Sequence, residues 1–502
     1  MPELKQPLLR KEAGSIILTL DAGSSSVRTL LYDGQGREIP GFGVQLPYEL
    51  RVTPGGGVEV DADFLCGICV QSLSAIHQQI TGTPTWPTAV AVCTFWHNVL
   101  GVDANGRPTT PVLHSFDTQS AAVVGKLAKK LDSQALHART GCVLHPSYLP
   151  AKLVWLAEAR PEAFRATRRW MSFGEYLFLK LFGNPAASTC MVSGSGLWNQ
   201  NNNAYDQETL RVLPVEPAQL APESEMDRPV KGLGAEYASR WPRLSSIPWF
   251  PALGDGAANN VGCGCAAGDQ FALMVGTSGA LRAVVEARHI RTPAGLWVYR
   301  LDGKRFVVGG ALTDGGSVYA WMKKTLHLPP DEEIEAALAT MAPVSHGLTI
   351  LPLFAGERSP GWHAEARAAI IGMRTDTAPL QILQASLEAV ALRFRLVYDI
   401  LKKDIGVPRR VIATGGALLR SPAWTQMMAD ALACTVTPCR EREATSRGAA
   451  LVALERLGAI ESVTAVPALL GDPIEPKPAS VPLYERALNF QSSLYRKLFE
   501  ES

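Results

Sequence analysis

The sequence has almost no excess of charge of either sign: 48 Lys and Arg stand against 47 Asp and Glu, a formal net charge of +1. That balance argues against a partner gripped through bulk electrostatics, a nucleic acid above all. Disorder is disfavoured too, because charged residues make up 19% of the chain and apolar residues 47%. Long apolar runs are missing: no stretch approaches the ~20 residues of a membrane-spanning helix. The opening MPELKQPLLRKEAGS mixes charges and prolines where a secretory signal needs an unbroken apolar segment. A cytoplasmic globular protein with no membrane partner is expected. Cysteine is sparse, nine in 502 residues, an odd number in no regular frame, which favours reduced thiols. The one CxxC, Cys66 to Cys69, falls in VDADFLCGICVQSLSAIHQQI, which has helical periodicity after an acidic first turn. Without a second pair at zinc spacing these read as buried helix thiols. Also absent are GxxxxGK[ST], GxSxG and HExxH, and GCGCAAG at 262–268 has the wrong spacing for a dinucleotide loop. A Rossmann oxidoreductase is thereby the weaker option.

At 502 residues the chain exceeds what one hydrophobic core usually organises, so two or more domains are expected. The segment IILTLDAGSSSVRTLLYD reads as strand, Gly-Ser turn, strand, and FALMVGTSGALRAVVEA repeats that texture near residue 271. PGGGVEVDAD reads as a loop, TAVAVCTFW as a further strand, and residues 120–190 as mostly helical, with Gly183 as a helix stop. RRVIATGGALLRSPAWTQMMADAL reads as strand, Gly-Gly turn, helix. Two similar β-turn-β units, each near the start of an apparent half, suggest related α/β domains facing a cleft, residues 1–262 and 263–502.

Turns of Gly and small hydroxyls bring backbone N–H groups close to an anion. Gly23, Ser24, Ser25 and Ser26 form one such turn; Gly276, Thr277 and Ser278 form the other. Each is followed by an arginine, Arg28 or Arg282. Either turn alone is more often a plain hairpin than a phosphate clamp. A carboxylate at a phosphate turn repels it unless a cation such as Mg²⁺ lies between, which makes Asp21 a metal candidate; the alternative is an Asp that satisfies its own turn. Asp255, between Gly254 and Gly256 after an apolar run, can accept a proton from an attacking hydroxyl, or can close an Asx-turn.

With LDAGSSSVR, ALGDGAANNVG, VGTSGALR and VIATGGALLRSPAWTQMMADAL in that order, the chain resembles the FGGY carbohydrate kinases, the family of glycerol, xylulose and gluconate kinases. The resemblance implies an α/β protein of two ribonuclease-H-like, or actin-like ATPase, domains with ATP and sugar in the central cleft. By position, Asp21 matches the family's magnesium-linked aspartate, Gly23 to Ser26 with Arg28 its first phosphate loop, and Asp255 its general base. Gly276, Thr277 and Ser278 match the second phosphate loop. Gly415, Gly416, Ala417 and Arg420 match the adenosine site, with Gly316 beside the nucleotide. On the sugar side, Trp96, His97 and Asp117 fall where relatives contact substrate, with Gly256 next to the base.

Within the family, TGCVLHPSYLPAKLVWL, SFGEYLFLKLFG and GTSGALR are most like the gluconate kinases. Gluconate is an anion, so its carboxylate should meet a basic group, and His145, Lys152 and Arg282 are the candidates. HSFDTQS stands where many relatives read close to WADTRS, and Leu149 and Pro150 depart from the pattern ahead of KLVW; these changes bear on the exact sugar. The expected reaction is ATP plus D-gluconate giving ADP plus 6-phosphogluconate, with ATP and Mg²⁺ as cofactors. Alternatives are a xylulose or other pentulose or polyol kinase, and a non-catalytic sugar-sensing protein of the same fold. Sugar and ATP are the expected partners; a homodimer is left open.

Overall fold

The computed structural model describes residues 14–500, so the charged opening segment, residues 1–13, and residues 501–502 lie outside the described residues, as do the corresponding ends of the two expected domains. Two sheets organise the chain. The first contains β1 (Ile17–Ala22), β2 (Ser26–Tyr32), β3 (Glu38–Pro47), β4 (Ala89–Thr94) and β5 (Trp249–Gly254), in the order β5-β4-β1-β2-β3. The first three run antiparallel and β4 and β5 add parallel to β1. Every residue of β1, β4 and β5 is buried, as expected for strands covered on both faces. The second sheet contains β6 (Gln270–Val275), β7 (Gly279–Glu286), β8 (Trp297–Arg300), β9 (Arg305–Leu312), β10 (Arg410–Thr414) and β11 (Val436–Pro438), in the order β8-β9-β7-β6-β10-β11. Apart from the edge strand β8, it repeats the first: an antiparallel meander, then two parallel strands beside its first member. The two α/β units expected from the paired hairpins are present.

Helix α1 (Ala62–Ile80) begins at Asp61, whose side chain accepts the Phe64 N–H at 2.7 Å, and it buries both Cys66 and Cys69. All nine cysteines are free thiols. The loop expected at PGGGVEVDAD contains a short strand, Val58–Val60, because its backbone pairs with Arg51–Val52 and Val112–Leu113. Helix α2 spans Leu149–Ala159, and Gly183 ends the helix Phe173–Phe182 in the left-handed conformation. Further on lie α3 (Asp255–Gly262), α4 (Gly316–Thr325), α5 (Pro379–Asp404), α6 (Ala444–Arg456) and α7 (Val481–Phe499). No helix among the described residues is long and apolar enough to cross a membrane.

The halves are joined by a crossing of α3 and α6. A Cβ on Gly262 would run into the Ala444 carbonyl, and one on Gly448 into the Ala258 carbonyl, so only glycine lets the backbones approach this closely. Although α6 follows the second sheet in sequence, its residues Ala449 to Leu454 are buried in the same core as β1 and β4. Buried Arg447 fastens the crossing, donating to Gly262 O at 2.6 Å and to Gly36 O at 3.0 Å.

Candidate active site

Both Gly-hydroxyl turns are tight hairpin ends at the cleft. Gly23 N–H donates to Ser26 O at 3.1 Å, and Gly276 N–H to Ser278 O at 2.9 Å. Among the described residues the N–H groups of Ser24, Ser25, Thr277 and Ser278 have no backbone partner. The Tyr48 hydroxyl braces the first turn by donating to Gly23 O. The second turn is seated on the start of α4: Gly316 N–H donates to Gly276 O at 2.8 Å, while Gly315 and Ser317 N–H both donate to Thr277 O at 3.0 Å. A side chain on Gly316 would meet Gly276 O and the Ala417 methyl. Gly415, at φ 89°, leaves no room for a Cβ beside the Val275 backbone. Gly276, Gly316, Gly415 and Ala417 thus form one glycine-lined shelf, with Gly416 and Arg420 exposed at its edge.

Asp21, one residue before the end of β1, is a buried carboxylate. Its Oδ2 accepts from Ser446 Oγ at 3.1 Å, and its Oδ1 is buried with no partner. Burial raises its pKa to about 7, offset in part by Arg28 and reinforced by Asp255. Arg28 forms an ion pair with Glu443 at 3.2 Å. Asp255 begins α3, its Oδ1 accepting its neighbour's Gly256 N–H at 2.8 Å. Its pKa is raised by burial, and Arg282 is the strongest influence holding it down. The glycines around Asp255 serve packing more than turning: a Cβ on Gly254 would lie inside the Trp96 indole, and one on Gly256 would press on the same ring.

Asp255 faces a cavity of about 120 Å³ lined from both halves of the chain: Ser24, Trp96, His97 and His114 from the first, Ser278, Arg282, Trp297, Tyr299, Arg358 and Trp362 from the second. Asp255 is the one acid among the described residues that line it. A larger cavity of about 610 Å³ adjoins, shares Ser278 and Arg358, and adds His145, Thr277 and Asp314. His97 sits at φ 58°, held there as its Nδ1 donates to Gly194 O at 2.6 Å. That bond leaves Nε2 as an acceptor, and burial lowers the ring's pKa to about 3, so it stays neutral. The Trp96 Nε1–H donates to Cys190 O at 3.0 Å, which fixes the indole over Gly254.

Not every expected residue faces these cavities. The Asp117 carboxylate is turned into the protein, its Oδ2 accepting Val58 N–H at 3.0 Å and Gln119 Nε2 at 2.7 Å. Lys152 is fully buried in α2 and donates from Nζ to His97 O at 3.0 Å and His114 O at 2.6 Å. Neither Asp117 nor Lys152 is among the residues that line these two cavities. The sequence reading missed His114 and Arg358. The run HSF beside TFWHN was a signal for the first. For the second, only the segment GERSPGW was visible, with nothing local to connect it to Asp255.

Residues 16–262 match the N-terminal domain of the FGGY family of carbohydrate kinases, and residues 271–455 match its C-terminal domain. The chain belongs to this family. As such it is a phosphotransferase whose substrates are ATP and a sugar or sugar alcohol. It is 25% identical over 501 residues to a gluconokinase of Bacillus licheniformis, covering 97% of each chain. It is 29% identical over 447 residues, 87% of each chain, to a xylulose kinase of Streptomyces rubiginosus. A solved structure of gluconate kinase from Lactobacillus acidophilus superposes with a TM-score of 0.89 at 24% identity, covering 97% of this chain and 98% of that one.

Proposed function

We propose that this kinase transfers the γ-phosphoryl group of ATP to the primary hydroxyl of a small open-chain sugar acid, D-gluconate giving 6-phosphogluconate. The observation that carries the reading is the charge of the cavity at Asp255: one carboxylate faces two guanidinium groups, Arg282 and Arg358, which leaves cationic donors for an anionic substrate. Extended similarity to a gluconokinase supports it. In this reading Asp255 accepts the hydroxyl proton as that oxygen attacks the γ-phosphorus in line, and no phosphoenzyme forms. Arg282 holds the base ionised. Trp96 and His97 orient the sugar, with Nε2 of His97 accepting from a hydroxyl. The free N–H groups of the two turns hold phosphate oxygens, and the shelf of Gly316, Gly415, Gly416 and Ala417, edged by Arg420, receives the adenosine.

Mg²⁺ fits Asp21, whose buried Oδ1 has no protein partner. No group of three ligating side chains surrounds it among the described residues, so the carboxylate would hold the ion together with phosphate oxygens and water. Held at Asp21, such an ion would supply positive charge against the phosphates of the nucleotide. Residues 1–262 then supply the base and the first phosphate turn, and residues 263–502 the second turn and the adenosine shelf, in a cytoplasmic enzyme.

The higher identity to a xylulose kinase favours a neutral pentulose as the second reading. ADP release measured with gluconate, xylulose, ribulose, glycerol and no sugar separates the two. Gluconate is expected to give the highest kcat/KM and the sugar-free rate to be near zero. A higher kcat/KM for xylulose or glycerol would overturn the assignment, and no sugar-dependent release at all would favour a non-catalytic sensor.

A further inference from the structure

The basic groups near the cleft differ in what they have left to offer. Lys152 spends its ammonium on two main-chain carbonyls. Arg282 also has a buried Nη1 with no partner, but it packs beside Gly256 and is the main electrostatic counterweight of Asp255, and so belongs to the reacting end of the cavity. At His145, which lines the adjoining cavity, the Ser147 N–H donates to Nδ1 at 3.2 Å, and the ring packs edge-on against Trp362 of the cavity at Asp255. Arg358 stands at the junction, lining both cavities. Its Nη2 donates to Leu312 O at 3.1 Å, its Nε is buried with no partner, and it forms no ion pair among the described residues. The backbone that carries it is fixed: the carboxylate of neighbouring Glu357 accepts from both Arg393 and Tyr495, all three buried, and Ser359 N–H donates to Ala311 O at 3.0 Å.

Away from Asp255, His114 offers a further unused donor. Phe116 N–H donates to its Nδ1 at 3.2 Å, so the ring's proton is on Nε2, and that atom is buried with no partner in a side chain lining the cavity. The ring is held by Phe95 and Phe116, with centroids 4.7 Å and 4.6 Å away. Two buried donors without acceptors are costly, and one anionic acceptor with two oxygens relieves both.

Resting on the reading of the substrate as a sugar acid, we infer that Arg358 and the Nε2–H of His114 form the subsite that receives the substrate's carboxylate, and that this pair sets the preference for an acid over a neutral polyol. Arg358 presents the planar donor fork that suits a carboxylate, and His114 adds one directed N–H. With a neutral sugar the guanidinium has no ion-pair partner and only the field of Asp314 in the adjoining cavity, so discrimination follows from the unmet donors as much as from the bond made.

The test compares wild type, Arg358→Gln, Arg358→Lys and His114→Phe in steady-state kinetics with gluconate and with xylulose, and in tryptophan-fluorescence titrations with gluconate alone. Trp96, Trp297 and Trp362 lining the cavity supply the fluorescence signal. Arg358→Gln should lose about 10- to 100-fold in kcat/KM for gluconate, carried by KM, with little change for xylulose or in the KM for ATP. Arg358→Lys should recover part of that loss, and His114→Phe should show a smaller loss of the same kind. Equal losses on both sugars, a raised KM for ATP, or a fall in kcat at unchanged gluconate affinity would overturn the subsite while leaving the gluconate reading intact. A wild-type enzyme that phosphorylates xylulose but not gluconate would instead overturn the functional reading, and the subsite with it.

Discussion

In the first hairpin Arg28 lies directly across from Asp21, whereas in the second the matching arginine, Arg282, lies across from Ala272. Side chains opposite one another in an antiparallel pair share a face, so the first arginine meets an acid of its own strand pair and the second does not. Arg28 goes on to pair with Glu443, while Arg282 extends into the cavity toward Asp255 of the other half. The backbone unit is duplicated, and its charge is not. One hairpin sets its acid against its own arginine and leaves Oδ1 without a partner; the other lends its base to the opposite lobe. The comparison separates what a repeated fold supplies, two turns with free N–H groups, from what single positions decide.

The largest expected effect comes from removing the acid that Arg282 serves. Asp255→Asn should lower kcat by about 10²- to 10⁴-fold with ATP affinity nearly unchanged, as read by initial rates and nucleotide titration; normal turnover would end the base assignment. Arg282→Gln comes next. Asp255 must be ionised to accept a proton, and its pKa lies above the ordinary carboxylate range, so wild-type kcat/KM should fall as pH drops through that raised value. Removing the chief influence that lowers it should move the acid limb to higher pH, and an unmoved limb would break the pairing of Arg282 with Asp255.

Gly254→Ala should cost about 1–3 kcal/mol by forcing the Trp96 indole aside, seen as a lower thermal midpoint and a raised sugar KM. Arg28→Gln should change stability by only about 0–1 kcal/mol, because its ion pair with Glu443 is partly solvated. If Arg28→Gln shifted the acid limb as far as Arg282→Gln, the two hairpins would be doing the same electrostatic task. The smallest effect is expected at His97. Its ring is held neutral with a pKa of about 3, so His97→Gln should raise the sugar KM without adding or removing any limb between about pH 5 and 8.

By itself the sequence determined whatever depends on neighbours along the chain. The two hairpins follow from apolar runs flanking Gly-hydroxyl turns, the burial of Cys66 and Cys69 from helical periodicity behind an Asp cap, and the prominence of Asp255 from its flanking glycines. Only the tertiary structure decided that Gly254 is a bed for Trp96, that Ser446 bonds Asp21 across 425 residues of chain, and that α6 packs into the first sheet's core. It also decided which charges are free. Lys152 and Arg358 look equally available in a string of letters, yet one meets two carbonyls and the other none but Leu312. Local periodicity fixes which face of an element is apolar. The partners of a buried donor are set by which distant segments fold against it, and those contacts are settled by packing the whole core at once.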